Sequence, residues 1–288
     1  MNTSVENARR AVLVTGTSSG IGLASAIRLA ESGFAVFASV RKEQDRRRLE
    51  ELKIPGLSVI CPLDMNRLDQ IEAAAANLAE ELSRQGLTLH AFVSNAGGGA
   101  PAPIELIAPD MMNRELGARI TGPIAILQRI LPLLRASGGR ILWISTPAII
   151  PTPYVASIHA CDFAVNCLSR TLDIELARWK IPSVMIRCGG VQTPAGLRTV
   201  EEVERLLDSA DPDRLALYGS ALRSWAAEMA EFDKQRIPAE EVAETVLRAV
   251  AAERPKRRYS VGHMARLAAL LEALPQPIAD RILKRRFA

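Results

Sequence analysis

Ala11–Val14 is a short unbroken apolar run rich in β-branched residues, the pattern of a strand buried on both faces. It gives way to Thr15-Gly16-Thr17-Ser18-Ser19-Gly20-Ile21-Gly22. After that turn Leu23, Ala26, Ile27, Leu29 and Ala30 recur at helical spacing as far as Gly33. A second apolar run, Phe34–Val40, completes a strand–turn–helix–strand unit. Strand-like runs follow at Leu57–Cys61, Ala91–Ser94, Arg140–Ile144 and Val184–Arg187, with helical stretches near 67–85, 109–135 and 156–179 between them. This alternation predicts an α/β fold of Rossmann type, a doubly wound parallel sheet with helices on both faces. Residues 195–236 depart from the pattern: they read as helical and charged, with Trp225, Met229 and Phe232 interspersed, and are expected to form an insertion that covers a ligand. No internal repeat or compositional break divides the chain. A flexible tail over 1–9 and one domain over 10–288 are therefore expected.

Composition narrows the function classes. Of 288 residues, 48% are apolar and 24% charged, the balance of a folded globule. The net charge is +4, but the basic clusters at Arg46–Arg48, Arg254–Arg258 and Lys284–Arg286 lie apart and alternate with acids. They read as solvated surface, and no nucleic-acid partner is expected. No apolar run approaches the ~18 residues of a membrane span, and the first residues lack the apolar core of a signal peptide, so a cytoplasmic location is expected. Cys61, Cys161, Cys167 and Cys188 form no CxxC pair and no metal-ligand spacing. They predict buried free thiols in a reducing compartment and no metal site. Three Tyr and three His leave few proton-transfer side chains.

The glycine turn has a physical purpose. Gly16, Gly20 and Gly22 allow a tight bend, close approach of backbone N–H groups to a pyrophosphate, and the start of a helix whose positive end faces it. TGTSSGIG resembles the TGxxxGxG signature of short-chain dehydrogenases/reductases. Ser94-Asn95-Ala96-Gly97 resembles their NNAG motif, and Leu63-Asp64-Met65 the Asp-hydrophobic pair that contacts adenine. Cys188-Gly189-Gly190-Val191-Gln192-Thr193-Pro194 resembles the segment that holds the nicotinamide amide. The resemblance runs from about residue 10 to the C-terminus. It implies that Gly16, Ser18, Ser19, Gly20, Ile21 and Gly22, then Asp64 and Met65, Asn95, Ala96 and Gly97, and Gly189, Val191 and Thr193 contact a dinucleotide. The second strand ends Ser39-Val40-Arg41-Lys42 without a carboxylate, and two cations suit a 2′-phosphate, so NADP(H) is expected over NAD(H).

The chemistry of that family needs a Tyr, a Lys one helical turn later, a Ser and an Asn. Phe163–Leu176 resembles the helix after the Lys without a gap, and that register places Asp162 at the Lys position and Ile158 at the Tyr position. Isoleucine has no proton to transfer. Tyr154-Val155-Ala156-Ser157-Ile158 looks like the tyrosine motif shifted four residues upstream, so that Tyr154, Ile158 and Asp162 share one helix stripe. Pro147, Pro151 and Pro153 suggest that the helix starts close to Tyr154. Ser145 or Thr146 supplies the Ser role at the end of a strand. The Asn role falls on Arg119, in Arg119-Ile120-Thr121-Gly122. A cation and an anion thus replace a neutral group and a cation, and Arg119 and Asp162 are expected to form a buried ion pair. His159 reads as packed or at the surface.

The resemblance implies an NADP(H)-dependent oxidoreductase acting on a hydrophobic or anionic carbonyl or alcohol substrate, with a non-standard site built from Arg119, Ser145, Thr146, Tyr154 and Asp162. Two alternatives stay open. One is non-redox chemistry (isomerase, cyclase or lyase) with Asp162 or His159 as acid/base, and the other is a nucleotide-binding pseudoenzyme. A homodimer or homotetramer paired through 109–135 and 156–179 is implied by the same resemblance.

Overall fold

The computed structural model describes residues 9–146, 151–194, 198–209, 211–272 and 274–287. Most of the expected tail, part of the Pro-rich loop at 147–150, and residues 195–197 and 210 of the insertion lie outside the described residues.

Seven strands form one parallel sheet: β1 (Arg10–Val14), β2 (Ala35–Ser39), β3 (Leu57–Ile60), β4 (Thr88–Ser94), β5 (Arg140–Ser145), β6 (Ser183–Cys188) and β7 (Arg258–Val261). Their spatial order is β3-β2-β1-β4-β5-β6-β7, with every pairing parallel. The order reverses between β1 and β4, so their C-terminal ends open a crevice where α/β folds place ligands. β7 was missed in the sequence. Its residues are half-exposed or exposed, as suits an edge strand, and they follow a basic stretch.

Side-chain alternation sorts the strand residues onto two faces. Ala11 and Leu13 pack with helices α3 (Leu68–Gln85), α5 (Gly122–Ser137) and α6 (Ala156–Glu175). Val12 and Val14 pack with α1 (Gly20–Glu31), α2 (Glu43–Glu51) and α9 (Ala239–Ala251). The pairing of β1 with β4 slips once, between Ala11 and Val12, which leaves His90 as the extra residue of a bulge. Its Nε2 donates to the Val250 carbonyl at 3.0 Å, and its ring stacks on Phe34.

The expected helix at 109–135 is interrupted. Helix α4 (Pro109–Leu116) passes into a π-helical turn, Gly117–Thr121, before α5 begins. Such turns insert an extra residue per turn and re-aim side chains, often at functional sites. Side chains added at Gly117 and Gly122 would collide with Asn66 and Met65, so this turn rests directly on the loop after β3.

The insertion contains α7 (Thr199–Ser209) and α8 (Pro212–Asp233), which share a small core of Val203, Leu207, Leu222, Trp225 and Ala226. After β7 come α10 (Ala265–Glu272) and α11 (Gln276–Phe287). Glu272 Oε2 meets the buried Arg187 of β6 at 2.5 Å, and its Oε1 meets Arg258 of β7 at 3.2 Å, which pins α10 to the sheet edge. Among the described residues, no helix is long and apolar enough to cross a membrane. Cys161 and Cys188 are buried as expected, whereas Cys167 is exposed on α6.

Candidate active site

A cavity of about 900 Å³ opens over the C-terminal ends of β1 and β4. Its floor is the turn between β1 and α1. Gly16 adopts a left-handed backbone, φ +69°, and a Cβ there would lie 2.8 Å from Ala96 Cα. Gly22 faces away from the cavity: a side chain at this position would collide with the Gly16 carbonyl and the Asn95 amide. Asn95 Nδ2 donates to the carbonyls of Thr15 and Gly16, each at 3.0 Å. Thr15 Oγ1 accepts from the backbone N–H groups of Asn95 and Ala96 at 3.0 and 3.1 Å. The Asn95 side chain therefore braces the turn. Ser18, Ser19, Gly20 and Ile21 line the cavity at the N-terminus of α1, where the first backbone N–H groups have no partner within the helix.

At the end beyond β2, Arg41 lines the cavity, but Lys42 does not: it caps the start of α2 and points to solvent. Asp45, in the first turn of α2, also lines this end and pairs with Arg48 at 3.0 Å. The Arg48 guanidinium in turn donates to the Ser18 carbonyl. Reading only the end of the strand missed both residues, because the helix brings its second turn back to the same point. Asp64 and Met65 line the adjacent wall, and Asp64 Oδ1 accepts from the Asn66 backbone N–H at 2.9 Å. Ala96 and Gly97 line the middle of the cavity, and Gly189, Val191 and Thr193 the opposite side.

The residues expected to form the catalytic site lie between the π-helical turn, the end of β5 and the first turns of α6. Arg119 and Asp162 form an ion pair there. Asp162 is 1% exposed and Arg119 14%. Asp162 Oδ2 also accepts from Thr146 twice, from Oγ1 at 2.6 Å and from the backbone N–H at 3.2 Å. Burial disfavours the Arg119 cation, but the adjacent carboxylate outweighs it and holds the guanidinium firmly charged. The Arg119 side chain lies against the Gly97 backbone, 2.9 Å from where a Cβ would stand. Ser145 lines the cavity and donates to the Thr146 carbonyl at 3.0 Å. Ile158 lines the cavity at the expected tyrosine position, while Asp162 lies behind the lining. Cys188 is part of the wall, and burial pushes its thiol up to about 12, so it stays uncharged.

Tyr154 does not share a helix stripe with Ile158 and Asp162. Helix α6 begins at Ala156, and Tyr154 precedes it with φ +66°. Its ring meets Trp225 edge-on at 5.9 Å within the small core of the insertion, and it is not part of the cavity lining. The helix begins where the stretch near 156–179 was expected, and the left-handed backbone at Tyr154 leaves that residue outside it. His159 lines the cavity. The insertion contributes Thr199, Glu202, Trp225, Met229 and Phe232 to the far wall.

Sequence reading also missed Glu115. It lies in the last turn of α4, lines the cavity, and has Oε2 buried without a hydrogen-bond partner. Burial raises its pKa above the ordinary 4.5, against the lowering pull of Arg119. The sequence contained one signal, a Glu four residues before Arg119, a spacing that usually indicates a surface pair.

Comparison with known proteins agrees with this architecture. The profile of the family described as short chain dehydrogenase matches residues 10–204. The chain is 28% identical over 264 residues to 3-amino-tetrahydro-pyrrolizinone reductase of Xenorhabdus hominickii, covering 90% of this chain and 88% of the relative. It is 28% identical over 288 residues to the NADPH-dependent 3-dehydrocapnine reductase of Ornithobacterium rhinotracheale, covering 96% of each. Among solved structures, a short-chain dehydrogenase from Streptomyces avermitilis superposes with a TM-score of 0.72 at 20% identity, covering 94% of this chain and 92% of the other.

Proposed function

Because the chain belongs to the short-chain dehydrogenase family, we propose that it is an NADP(H)-dependent oxidoreductase of hydrophobic carbonyl compounds or alcohols, with a non-standard catalytic site. The observation that carries this reading is one cavity that joins the glycine turn and Arg41 to Ser145 and to the apolar wall of Trp225, Met229 and Phe232. The residues present fit a dinucleotide: the braced turn leaves space that a Cβ would fill, and unpaired N–H groups at the start of α1 suit a pyrophosphate. Arg41, with Arg48 offsetting Asp45, suits a 2′-phosphate. The NADPH named for the Ornithobacterium relative supports the same preference. The segment from Gly189 to Thr193 would hold the nicotinamide end.

The dinucleotide supplies the hydride when bound. The chain's own residues position the substrate and manage one proton. Ser145 would reach the substrate oxygen only by turning its hydroxyl away from the Thr146 carbonyl it now donates to. Thr146 is held by Asp162, and Asp162 by Arg119, so this corner is rigid and its charges cancel. That cancellation favours a hydrophobic over an anionic substrate. A dimer or tetramer would cover Phe163 and Ile174, which are exposed apolar residues on α6. The unpaired cysteines suit a reducing cytoplasm.

Titration of NADPH and NADH fluorescence, followed by absorbance loss with a panel of apolar ketones, tests the reading. Tighter NADPH binding with turnover is expected, and failure to bind either dinucleotide would sink it. A second reading, a nucleotide-binding scaffold without redox turnover, rests on Ile158 and Asp162 at the positions of the family's Tyr and Lys. It predicts NADPH binding with no ketone reduced.

A further inference from the structure

We propose that Glu115 is the general acid of this site, delivering the proton that the family's tyrosine would deliver. The proposal rests on the reductase reading above. Ile158 occupies the tyrosine position and lies against Gly99, so closely that a side chain on Gly99 would collide with Ile158 Cγ1. Glu115 approaches the same point from helix α4: the same Cβ would lie 3.4 Å from Glu115 Oε2. Gly98 and Gly99 leave room for the carboxyl beside them, and a Cβ on Gly98 would lie 3.5 Å from Oε1. A carboxyl therefore stands over the glycine run where the ordinary proton donor has become a hydrocarbon.

Three observations support the protonated form. Oε2 is buried and has no hydrogen-bond partner, a costly state for an ionised oxygen and an apt one for an O–H awaiting an acceptor. Among the described residues no ion pair within 4 Å neutralises the carboxyl, and the nearby Arg119 is engaged with Asp162. Burial moves its titration upward, with Arg119, the Gly98 backbone N–H and Arg41 opposing and Asp162 assisting. Cys161 from α6 faces the same group, and Arg114 and His159 line the same cavity. A carboxylic acid kept neutral so that it can donate is a known solution to this problem.

The step balances without any further reagent. The substrate's carbonyl carbon gains a hydride from the reduced dinucleotide, which is thereby oxidised. The carbonyl π pair takes the proton from Glu115 Oε2, and the alcohol forms. Glu115 is left as a carboxylate near Arg119, whose buried Nε–H has no acceptor until then. A proton from water restores the acid.

Infrared spectroscopy of the dinucleotide-free protein reads the proton directly. At about pH 6, above the ordinary carboxylate range, a carboxylic-acid carbonyl band is expected that disappears in Glu115→Gln and persists in Glu202→Gln, the other cavity carboxyl raised by burial. Loss of ketone turnover in Glu115→Gln by about 10²–10⁴-fold, with NADPH affinity unchanged, is expected alongside it. In the wild type the rate is expected to fall as pH rises and Glu115 ionises, and this limb should vanish from whatever activity Glu115→Gln retains. Glu115→Asp should recover part of the rate. An ionised Glu115 at this pH overturns the proposal. So does a wild-type enzyme that reduces ketones no faster than Glu115→Gln, and that result leaves the reductase reading standing. Dinucleotide binding with no ketone reduced by the wild type removes the reductase reading and this proposal together.

Discussion

Asp162 accepts one hydrogen bond from a guanidinium and two from Thr146, with almost no exposure to water. Removing either partner of the pair strands the other charge. Arg119→Leu and Asp162→Leu are each expected to cost about 3–5 kcal/mol, whereas the double replacement costs less than either alone and can even stabilise. Denaturant midpoints of the four proteins in a double-mutant cycle check this, and a double variant as unstable as the two singles combined would refute the coupling. Two other residues impose opposite pH dependences. Burial, aided by Arg140, pushes His90 down to about 4 from 6.5. The stability this neutral imidazole contributes is present above about 6.5 and is lost as pH falls toward 4, up to about 3 kcal/mol. Glu115 is raised, so its contribution is present below the ordinary carboxylate value and is lost as pH rises through its folded pKa. Thermal melts of wild type, His90→Phe and Glu115→Gln against pH separate the two: the first variant flattens the acid side, and the second gains on the wild type as pH rises.

At the scale of elements, α10 is the piece most dependent on a single side chain. Arg187 is 3% exposed in β6 and is held by Glu272 at 2.5 Å and by Asn166 Oδ1 at 3.1 Å. Glu272→Ala leaves a buried cation with one neutral acceptor and is expected to cost about 2–4 kcal/mol. A chemical-denaturation midpoint checks the magnitude. Limited proteolysis should then cut first after β7, and protection there equal to wild type would show that other contacts hold α10. Strands β1, β2, β4, β5 and β6 were legible in the sequence because they are buried on both faces and read as continuous apolar runs, and the edge strand β3 was legible from the run Leu57–Cys61. β7 was not, since an edge strand needs no such run. The π-helical turn was invisible for another reason: a register slip within a helix leaves the apolar spacing on either side intact. Glu115 went unnoticed because a lone carboxylate in an amphipathic helix is normally a surface residue. Tyr154 misled because helix spacing was applied to a residue that precedes the helix. Arg119 and Asp162 were legible together because the gap-free stretch after Asp162 fixed the register, and two reciprocal charges in that register imply contact.

For the whole molecule, the sheet order places every proposed site element at one end of the strands, and the glycine turn, the end of β2 and the insertion close around it. Ligand binding there stabilises the folded state by mass action. NADPH at about one hundred times its Kd is expected to add about 2.7 kcal/mol, seen as a raised Tm, with NADH at the same concentration giving less. Equal shifts from the two dinucleotides would contradict the role given to Arg41. The contact between the π-helical turn and the loop after β3 has a kinetic consequence. A side chain on Gly122 would meet the Met65 backbone and one on Gly117 the Asn66 side chain, so the loop that would lie beneath a bound adenosine is packed directly on the turn that bears Arg119 and follows the helix of Glu115. Under the proposed function, seating the nucleotide would set the proposed proton donor, and steady-state kinetics are expected to be ordered, with dinucleotide adding first and leaving last. Gly122→Ala, whose methyl would press on the Met65 backbone, should turn that ordered scheme toward random addition.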